Sequence, residues 1–143
     1  MCIRDRFETA QEVVDKFKDD YQILQIKGDK QPALNNTKPM TAPLRAILAL
    51  IPYSEKFFLI DSFMQHAVAA FEKKAVVVWA STSPTQAGYS TNVNLSHEVC
   101  ISPFCHRPNS FLLDIQQSGP WQCPFGEVCT VYKTQEIIDA LNI

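Results

Sequence analysis

Three polar residues, Asp61, Ser62 and His66, follow the short apolar segment Phe57–Ile60 and lie at the start of an amphipathic helix. The segment suits a strand buried on both faces, and apolar residues at 64, 67, 68 and 71 predict the helix after it. A strand that passes directly into a helix is half of a βαβ unit. Ligands bind open parallel sheets at the carboxyl ends of their strands. The spacing therefore indicates a ligand site at residues 61–66.

A phosphate group is the ligand that this helix start suits best. Ser62 and Gln65 match a capping box, in which the serine side chain bonds the amide of residue 65. The amides of Phe63 and Met64 would then stay unpaired and, together with the helix dipole, favour an anion. His66 lies one turn after Ser62 on the same helix face, where its ring can donate a hydrogen bond to that anion.

A structural role is the alternative for each of these residues. The capping box explains Ser62 and Gln65 without a ligand, and a single histidine on an otherwise apolar helix is commonly structural. The carboxylate of Asp61 would repel a phosphate, so we expect it to accept backbone or ribose hydroxyl hydrogen bonds or to fix the turn. The chain carries neither a Gly-rich dinucleotide fingerprint nor a GK[ST] phosphate loop.

Composition narrows the classes of function. The 143 residues, 46% hydrophobic and 20% charged, fit one ordinary globular domain. A formal net charge of −2 gives no electrostatic basis for binding nucleic acid or an anionic membrane. No apolar run approaches the roughly 18 residues of a transmembrane segment, and residues 1–6 lack the apolar core of a secretory signal. We therefore expect a cytoplasmic location.

Alternating helical and extended patterns predict an α/β fold, with a Rossmann-like parallel sheet flanked by helices. Helices are predicted at 7–20, 43–51 and 62–71 and from Thr134, which suits an N-cap. Strands are predicted at 21–26, 57–60 and 75–79, the last of them central because it is continuously apolar. Residues 28–42 are predicted to be a polar connection, and a Cys/Pro-rich region at about 96–132 has little periodicity.

The start of the chain has two unusual features. A helix precedes the first strand, whereas right-handed βαβ order calls for a strand there. The first six residues, MCIRDR, look like a translated sequencing-adapter remnant, and a natural charged N-terminal arm is the alternative. We therefore expect residues 1–6 to be non-native and the domain at 7–143 to be truncated at its N-terminus.

The segment DSFMQHAVAAF and the following KKAVVVWASTSPTQAGY resemble the C-terminal half of the heptosyltransferase-like glycosyltransferases, family 9. The family signature runs Asp-Ser/Thr-Gly-x-x-His-x-Ala-Ala-Ala and is followed by a strand that ends in a Gly-x-Thr-x-Pro loop. The likeness extends over about residues 7–143 and is most specific at 61–89. Two departures stand out: Phe63 replaces the usual glycine, which crowds the approach of a phosphate, and Ala80-Ser81 replaces a glycine-containing turn.

This resemblance implies the C-terminal half of a GT-B fold that holds a nucleotide-sugar donor such as ADP-heptose. It places the donor on Asp61, Ser62, Phe63, Met64, His66, Thr82 and Ser83. It also implies a saccharide or lipopolysaccharide acceptor, bound by an N-terminal domain that carries the catalytic base and that this chain lacks. On these grounds we expect glycosyltransferase activity from the full-length protein and none from this chain alone. Two alternatives are a metal-ordered, non-enzymatic interaction module and an α/β domain that binds another phosphorylated ligand.

Four cysteines form two closely spaced pairs, Cys100 with Cys105 and Cys123 with Cys129, and His97 and His106 lie nearby in the sequence. Tetrahedral zinc sites favour pairs separated by two to four residues, which the first pair matches and the second slightly exceeds. A structural zinc or iron would order a segment of low periodicity. Free thiols are the first alternative, and disulfides, which cytoplasmic proteins rarely contain, are the second.

If the four cysteines bind a metal, the purified protein should contain close to one zinc or iron per chain, measurable by elemental analysis. Replacing Cys123 and Cys129 with serine should remove that metal, whereas replacing Cys2, which belongs to neither pair, should leave it in place. A metal-free protein whose four thiols titrate freely in the native state would contradict the metal assignment.

Overall fold

The computed structural model describes residues 4–80, 82–96 and 131–143. The helices are α1 (Arg4–Phe17), α2 (Leu44–Leu50), α3 (Phe63–Ala70), α4 (Pro84–Ala87) and α5 (Thr134–Leu141), and a 3₁₀ turn at Ile51–Tyr53 follows α2. The strands are β1 (Leu24–Ile26), β2 (Lys38–Met40), β3 (Phe58–Ile60), β4 (Val76–Val78) and β5 (Val93–Leu95). None of the helices in these ranges combines the length and the hydropathy that crossing a membrane would require.

All the strands in the described residues pair in parallel. Strands β3, β4 and β5 form one sheet in that order, with Leu59 opposite Val77 and Val77 opposite Asn94. Strands β1 and β2 form a separate pair, in which Gln25 lies opposite Pro39. Helix α3 connects β3 to β4, and α4 lies between β4 and β5. The predicted α/β architecture with parallel strands and flanking helices is thus confirmed.

Strand β4 lies at the centre of the packing because both of its faces are buried. On one face, Val76 and Val78 pack with residues of α1 and α5, among them the fully buried Ile137. On the other face, Val77 packs with Val68 of α3 and with residues of α2 and the 3₁₀ turn. The predicted central strand at 75–79 is confirmed, and the continuous run of β-branched residues follows from burial on both faces.

Two short strands lie where the sequence predicts none. Strand β2 falls in the predicted connection at 28–42, and its central Pro39 has no amide to donate, which argues against a strand except at an edge. Strand β5 falls between the predicted strand at 75–79 and the Cys/Pro-rich region, where no element is predicted, because three residues are too few to show an alternating pattern. Both segments form strands because they pair with a neighbouring strand, and their own sequences carry no clear strand pattern.

The ends of two helices also differ from the prediction. Helix α1 begins at Arg4, three residues earlier than predicted, and ends at Phe17 rather than Asp20. The N-cap of α5 is Lys133, so Thr134 is its first helical residue. The Thr134 hydroxyl hydrogen-bonds the Glu12 carboxylate of α1 instead of capping its own helix. A contact between two helices thus replaces the predicted local cap.

Helix α3 ends in a Schellman motif with Glu72 in the left-handed position. The Lys73 amide donates to the Val68 carbonyl at 3.1 Å, and the Glu72 amide donates to the Ala69 carbonyl at 2.9 Å. Glu72 has a φ of 56°, which is costly for a residue that carries a Cβ atom. The motif sets the direction in which the chain leaves α3 for β4.

We predict that Glu72→Gly raises the free energy of unfolding by about 0.5–1 kcal/mol, because relief of the left-handed strain outweighs the greater freedom of glycine in the unfolded chain. Denaturant titration measures this change. Glu72→Ala is the matched control: it removes the same side chain but keeps the Cβ atom, so stability should change by less than about 0.5 kcal/mol. A glycine variant no more stable than the alanine variant would contradict the explanation.

Candidate functional site

The first part of the site is the turn from β3 into α3. Ser62 is the N-cap of α3, with extended backbone angles of φ −161° and ψ 174°. Its carbonyl oxygen accepts the Gln65 amide at 3.2 Å, and its side chain makes no capping hydrogen bond. The predicted capping box is therefore wrong: the helix starts where predicted, but the Ser62 hydroxyl is not used to start it.

Gln65 is fully buried, and its side chain makes contacts that exclude the reciprocal half of a capping box. Its Nε2 atom donates to the Ala87 carbonyl at 3.1 Å and contacts Asp61 Oδ1 at 3.4 Å, so its side chain extends away from the N-cap. Its Oε1 atom has no hydrogen-bond partner within the described part of the protein. Gln65 thus joins the end of β3 to the end of α4 and holds two loops of the site together.

The start of α3 presents free backbone donors. In the described ranges, no acceptor receives the amides of Phe63 and Met64, as expected for the first two helical residues. The Phe63 side chain is 51% exposed, whereas that of Met64 packs against the core beneath the helix. The N-terminal end of α3 is therefore accessible from the side on which Phe63 lies, and its dipole favours an anion there.

His66 lies one turn into α3 and is exposed. Its Nδ1 atom is 3.0 Å from the hydroxyl of Tyr89, and the two rings meet edge to face with centroids 5.6 Å apart. No described residue hydrogen-bonds the other ring nitrogen, Nε2. One side of the imidazole is thus held by the protein, and Nε2 remains available to a ligand.

The second part of the site follows β4. Ser83 is buried and caps α4, since its Oγ atom accepts the Thr85 amide at 3.3 Å and lies 2.8 Å from Thr85 Oγ1. Thr82 is half-buried beside it. The carboxyl ends of β3 and β4 are neighbours in the sheet, so this loop and the start of α3 lie at one edge. The Gln65–Ala87 and His66–Tyr89 contacts connect the two parts directly.

A hydrogen-bonded chain anchors this edge to the core. The indole nitrogen of buried Trp79 donates to Asn94 Oδ1 at 2.9 Å, and Asn94 Nδ2 donates to the Tyr89 carbonyl at 2.9 Å. The hydroxyl of Tyr132, which precedes α5, contacts the Trp79 carbonyl and lies 2.9 Å from the Leu95 carbonyl. The side chains of Asn94 and Tyr132 thus hold the carboxyl ends of β4 and β5 in place.

Sequence reasoning missed Trp79, Asn94, Tyr89 and the buried role of Gln65. One signal was available for Trp79, because a tryptophan that ends a buried strand needs a partner for its indole N–H. Nothing in the local sequence identifies Asn94 as that partner, since it is 15 residues away and lies on a strand too short to recognise. The Tyr89–His66 contact likewise depends on how α4 packs beside α3.

The proposed metal ligands Cys100, Cys105, Cys123 and Cys129 lie outside the described residues. Within the described ranges, no group of three or more His, Cys, Asp or Glu side chains could hold a metal. An open depression lined by residues 18–23 and 36–38 lies beyond the amino ends of β1 and β2. It is away from the predicted site residues and from the carboxyl ends at which parallel sheets bind ligands.

Comparison of the chain with protein-family models, curated proteins and solved structures finds no match. The geometry of the candidate site brings together the N-terminus of α3, the exposed imidazole of His66 and the Ser83-capped start of α4 at one edge of a parallel sheet.

Gly88 lies where the chain leaves α4 towards Tyr89, and there is no room at this position for a Cβ atom. A Cβ atom there would lie 2.5 Å from the Pro84 carbonyl oxygen and 3.1 Å from both Asn94 Oδ1 and Trp79 Cζ2. The backbone oxygen cannot move aside without disturbing α4. The contact thus places Gly88 against the same residues that anchor Tyr89.

We predict that Gly88→Ala lowers the free energy of unfolding by about 1–3 kcal/mol, the usual cost of overpacking. Gly28→Ala is the control, because the nearest atom to its added Cβ would be Gln31 Oε1 at 3.8 Å. That variant should be neutral or slightly stabilising, since alanine restricts the unfolded chain. Equal denaturant midpoints for the two variants would contradict the spatial argument.

Proposed function

We propose that this chain binds a nucleoside diphosphate sugar at the carboxyl edge of β3 and β4. The observation that carries the proposal is the start of α3, where the free amides of Phe63 and Met64 and the exposed His66 lie at one edge of a parallel sheet. Free amides at a helix N-terminus bind phosphate through hydrogen bonds and the helix dipole. An exposed imidazole one turn further adds a side-chain donor for the same anion.

Each residue of the site has a role in this proposal. The diphosphate lies against the amides of Phe63 and Met64, and His66 donates to one of its oxygens. Asp61 is engaged by Gln65 at 3.4 Å, which turns its carboxylate to the joint between the two loops and leaves it to fix the turn or accept a ribose hydroxyl. Ser62 contributes its hydroxyl, which no cap occupies. Thr82 and the Ser83 cap position the loop after β4 beside the ligand.

In the complete enzyme, we propose that the bound donor transfers its sugar to a saccharide or lipid-linked saccharide acceptor in the cytoplasm. Negative charge builds on the diphosphate as the bond to the sugar breaks, and the amides and His66 stabilise that charge. The likeness of residues 61–89 to family 9 supports a heptosyltransferase-like activity with an ADP-heptose-like donor. The acceptor and the catalytic base belong, in this proposal, to a second domain.

The same geometry suits other phosphorylated ligands, so the experiment must separate them. Titration of the chain with ADP, UDP, GDP and CDP, and with inorganic pyrophosphate, measures how much of the affinity depends on the base. A preference of tenfold or more for one nucleotide over pyrophosphate is expected for a nucleotide-sugar site. Equal affinity for pyrophosphate and all four nucleotides would favour a general phosphate ligand instead.

We predict that His66→Ala weakens binding of the preferred nucleotide by about 1.5–3 kcal/mol, the range for a hydrogen bond to a charged group. Calorimetric titration measures the loss, which corresponds to roughly 10- to 150-fold in Kd. Lys74→Ala is the control: it removes an exposed cationic side chain at the amino end of β4, the opposite edge of the sheet. Unchanged affinity in a folded His66→Ala variant would refute the assignment.

A further inference from the structure

The contact between Tyr89 and His66 engages one ring nitrogen of the imidazole, Nδ1, and leaves Nε2 without a partner among the described residues. The Tyr89 hydroxyl lies 3.0 Å from Nδ1, and the two ring planes are inclined by 75°. A neutral imidazole carries its proton on one nitrogen only, and the hydrogen bond made by one nitrogen decides the state of the other. The partner of Nδ1 therefore determines whether Nε2 donates or accepts.

Tyr89 itself is fixed by the core. Its carbonyl oxygen accepts the Asn94 side-chain amide at 2.9 Å and the Asn92 backbone amide at 3.1 Å. Asn94 is held in turn by the buried indole of Trp79. The amide of the preceding residue, Gly88, donates to the Pro84 carbonyl at 2.8 Å. The backbone of Tyr89 is thus held by hydrogen bonds although its side chain is exposed, and such support suits a residue that orients another side chain.

We propose that Tyr89 is a positioning residue that donates its hydroxyl proton to His66 Nδ1 and keeps the imidazole proton on Nε2. Resting on the proposed function, this arrangement gives the diphosphate a ready N–H donor on a ring of fixed orientation. The opposite tautomer would place the Nε2 lone pair against the phosphate oxygens. A tyrosine at this position thus contributes to anion binding without touching the anion.

Two consequences follow for the Tyr89→Phe variant, which keeps the aromatic ring and removes only the hydroxyl. The imidazole loses its fixed partner, so it samples other ring orientations and both tautomers. The apparent Kd equals the intrinsic Kd divided by the fraction of molecules in which the imidazole has the orientation and tautomer that bind the ligand. If that fraction becomes roughly one in three to one in ten, nucleotide binding weakens by about 3- to 10-fold.

The first arm of the test reads the tautomer without any ligand. Nitrogen-15 NMR of the histidine side chains distinguishes Nδ1–H from Nε2–H, and comparison with His66→Ala assigns the His66 signals among those of His97 and His106. At the high-pH plateau, the wild type should show His66 with its proton on Nε2, and Tyr89→Phe should show a mixture. A wild type with the proton on Nδ1, or spectra unchanged by Tyr89→Phe, would overturn the proposal.

The second arm is a double-mutant cycle with the preferred nucleotide. Tyr89→Phe should weaken binding by about 3- to 10-fold when His66 is present and by less than about 2-fold when His66 is already alanine. Tyr53→Phe is the matched control, because Tyr53 is 87% exposed at the 3₁₀ turn and should leave affinity unchanged. An equal effect of Tyr89→Phe in both backgrounds would overturn the positioning role.

The two arms separate this proposal from the proposed function. If the wild-type chain binds none of the nucleotides, the proposed function fails, and the spectra still decide whether Tyr89 sets the His66 tautomer. If the chain binds a nucleotide and His66→Ala weakens that binding, but Tyr89→Phe leaves the His66 tautomer unchanged, the proposed function stands and the positioning role fails.

Discussion

Strand β4 is packed on both faces and paired along both edges, and the rest of the structure depends on that constraint. Its two faces are covered by the layers containing α1 with α5 and α2 with α3. Its two edges pair with β3 and β5, and the Asn92 side chain accepts the Ala75 amide at 3.0 Å just before the strand. A strand with no exposed face or edge has one register and one direction. The position at which its carboxyl end emerges is therefore fixed.

The residues of the candidate site are held in place by contacts that begin at that carboxyl end. Trp79 leaves β4 with its side chain in the core, and the polar contacts of Asn94, Tyr89 and His66 extend outward from it. The fully buried Gln65 adds a second connection, because its Nε2 atom donates to the Ala87 carbonyl and contacts the Asp61 carboxylate.

Patterns that repeat over several turns or residues could be predicted from the sequence. The apolar stripe of α3 and the β-branched run before Trp79 fixed the type and order of the central elements, since burial on a defined face demands that periodicity. Strand β2 and strand β5 could not be predicted, because three residues carry no period and their pairing comes from neighbours. At the site, Asp61 to His66 could be located by spacing along one helix. Tyr89 could not, since its contact depends on the packing of α4.

Tyr132 attaches the start of the last helix directly to the sheet. Its hydroxyl lies 2.9 Å from the Leu95 carbonyl at the end of β5, although 37 positions separate the two residues. The same hydroxyl contacts the Trp79 carbonyl, just after β4. One side-chain atom therefore couples the position of α5 to the carboxyl ends of two neighbouring strands, which is the edge at which the candidate site lies.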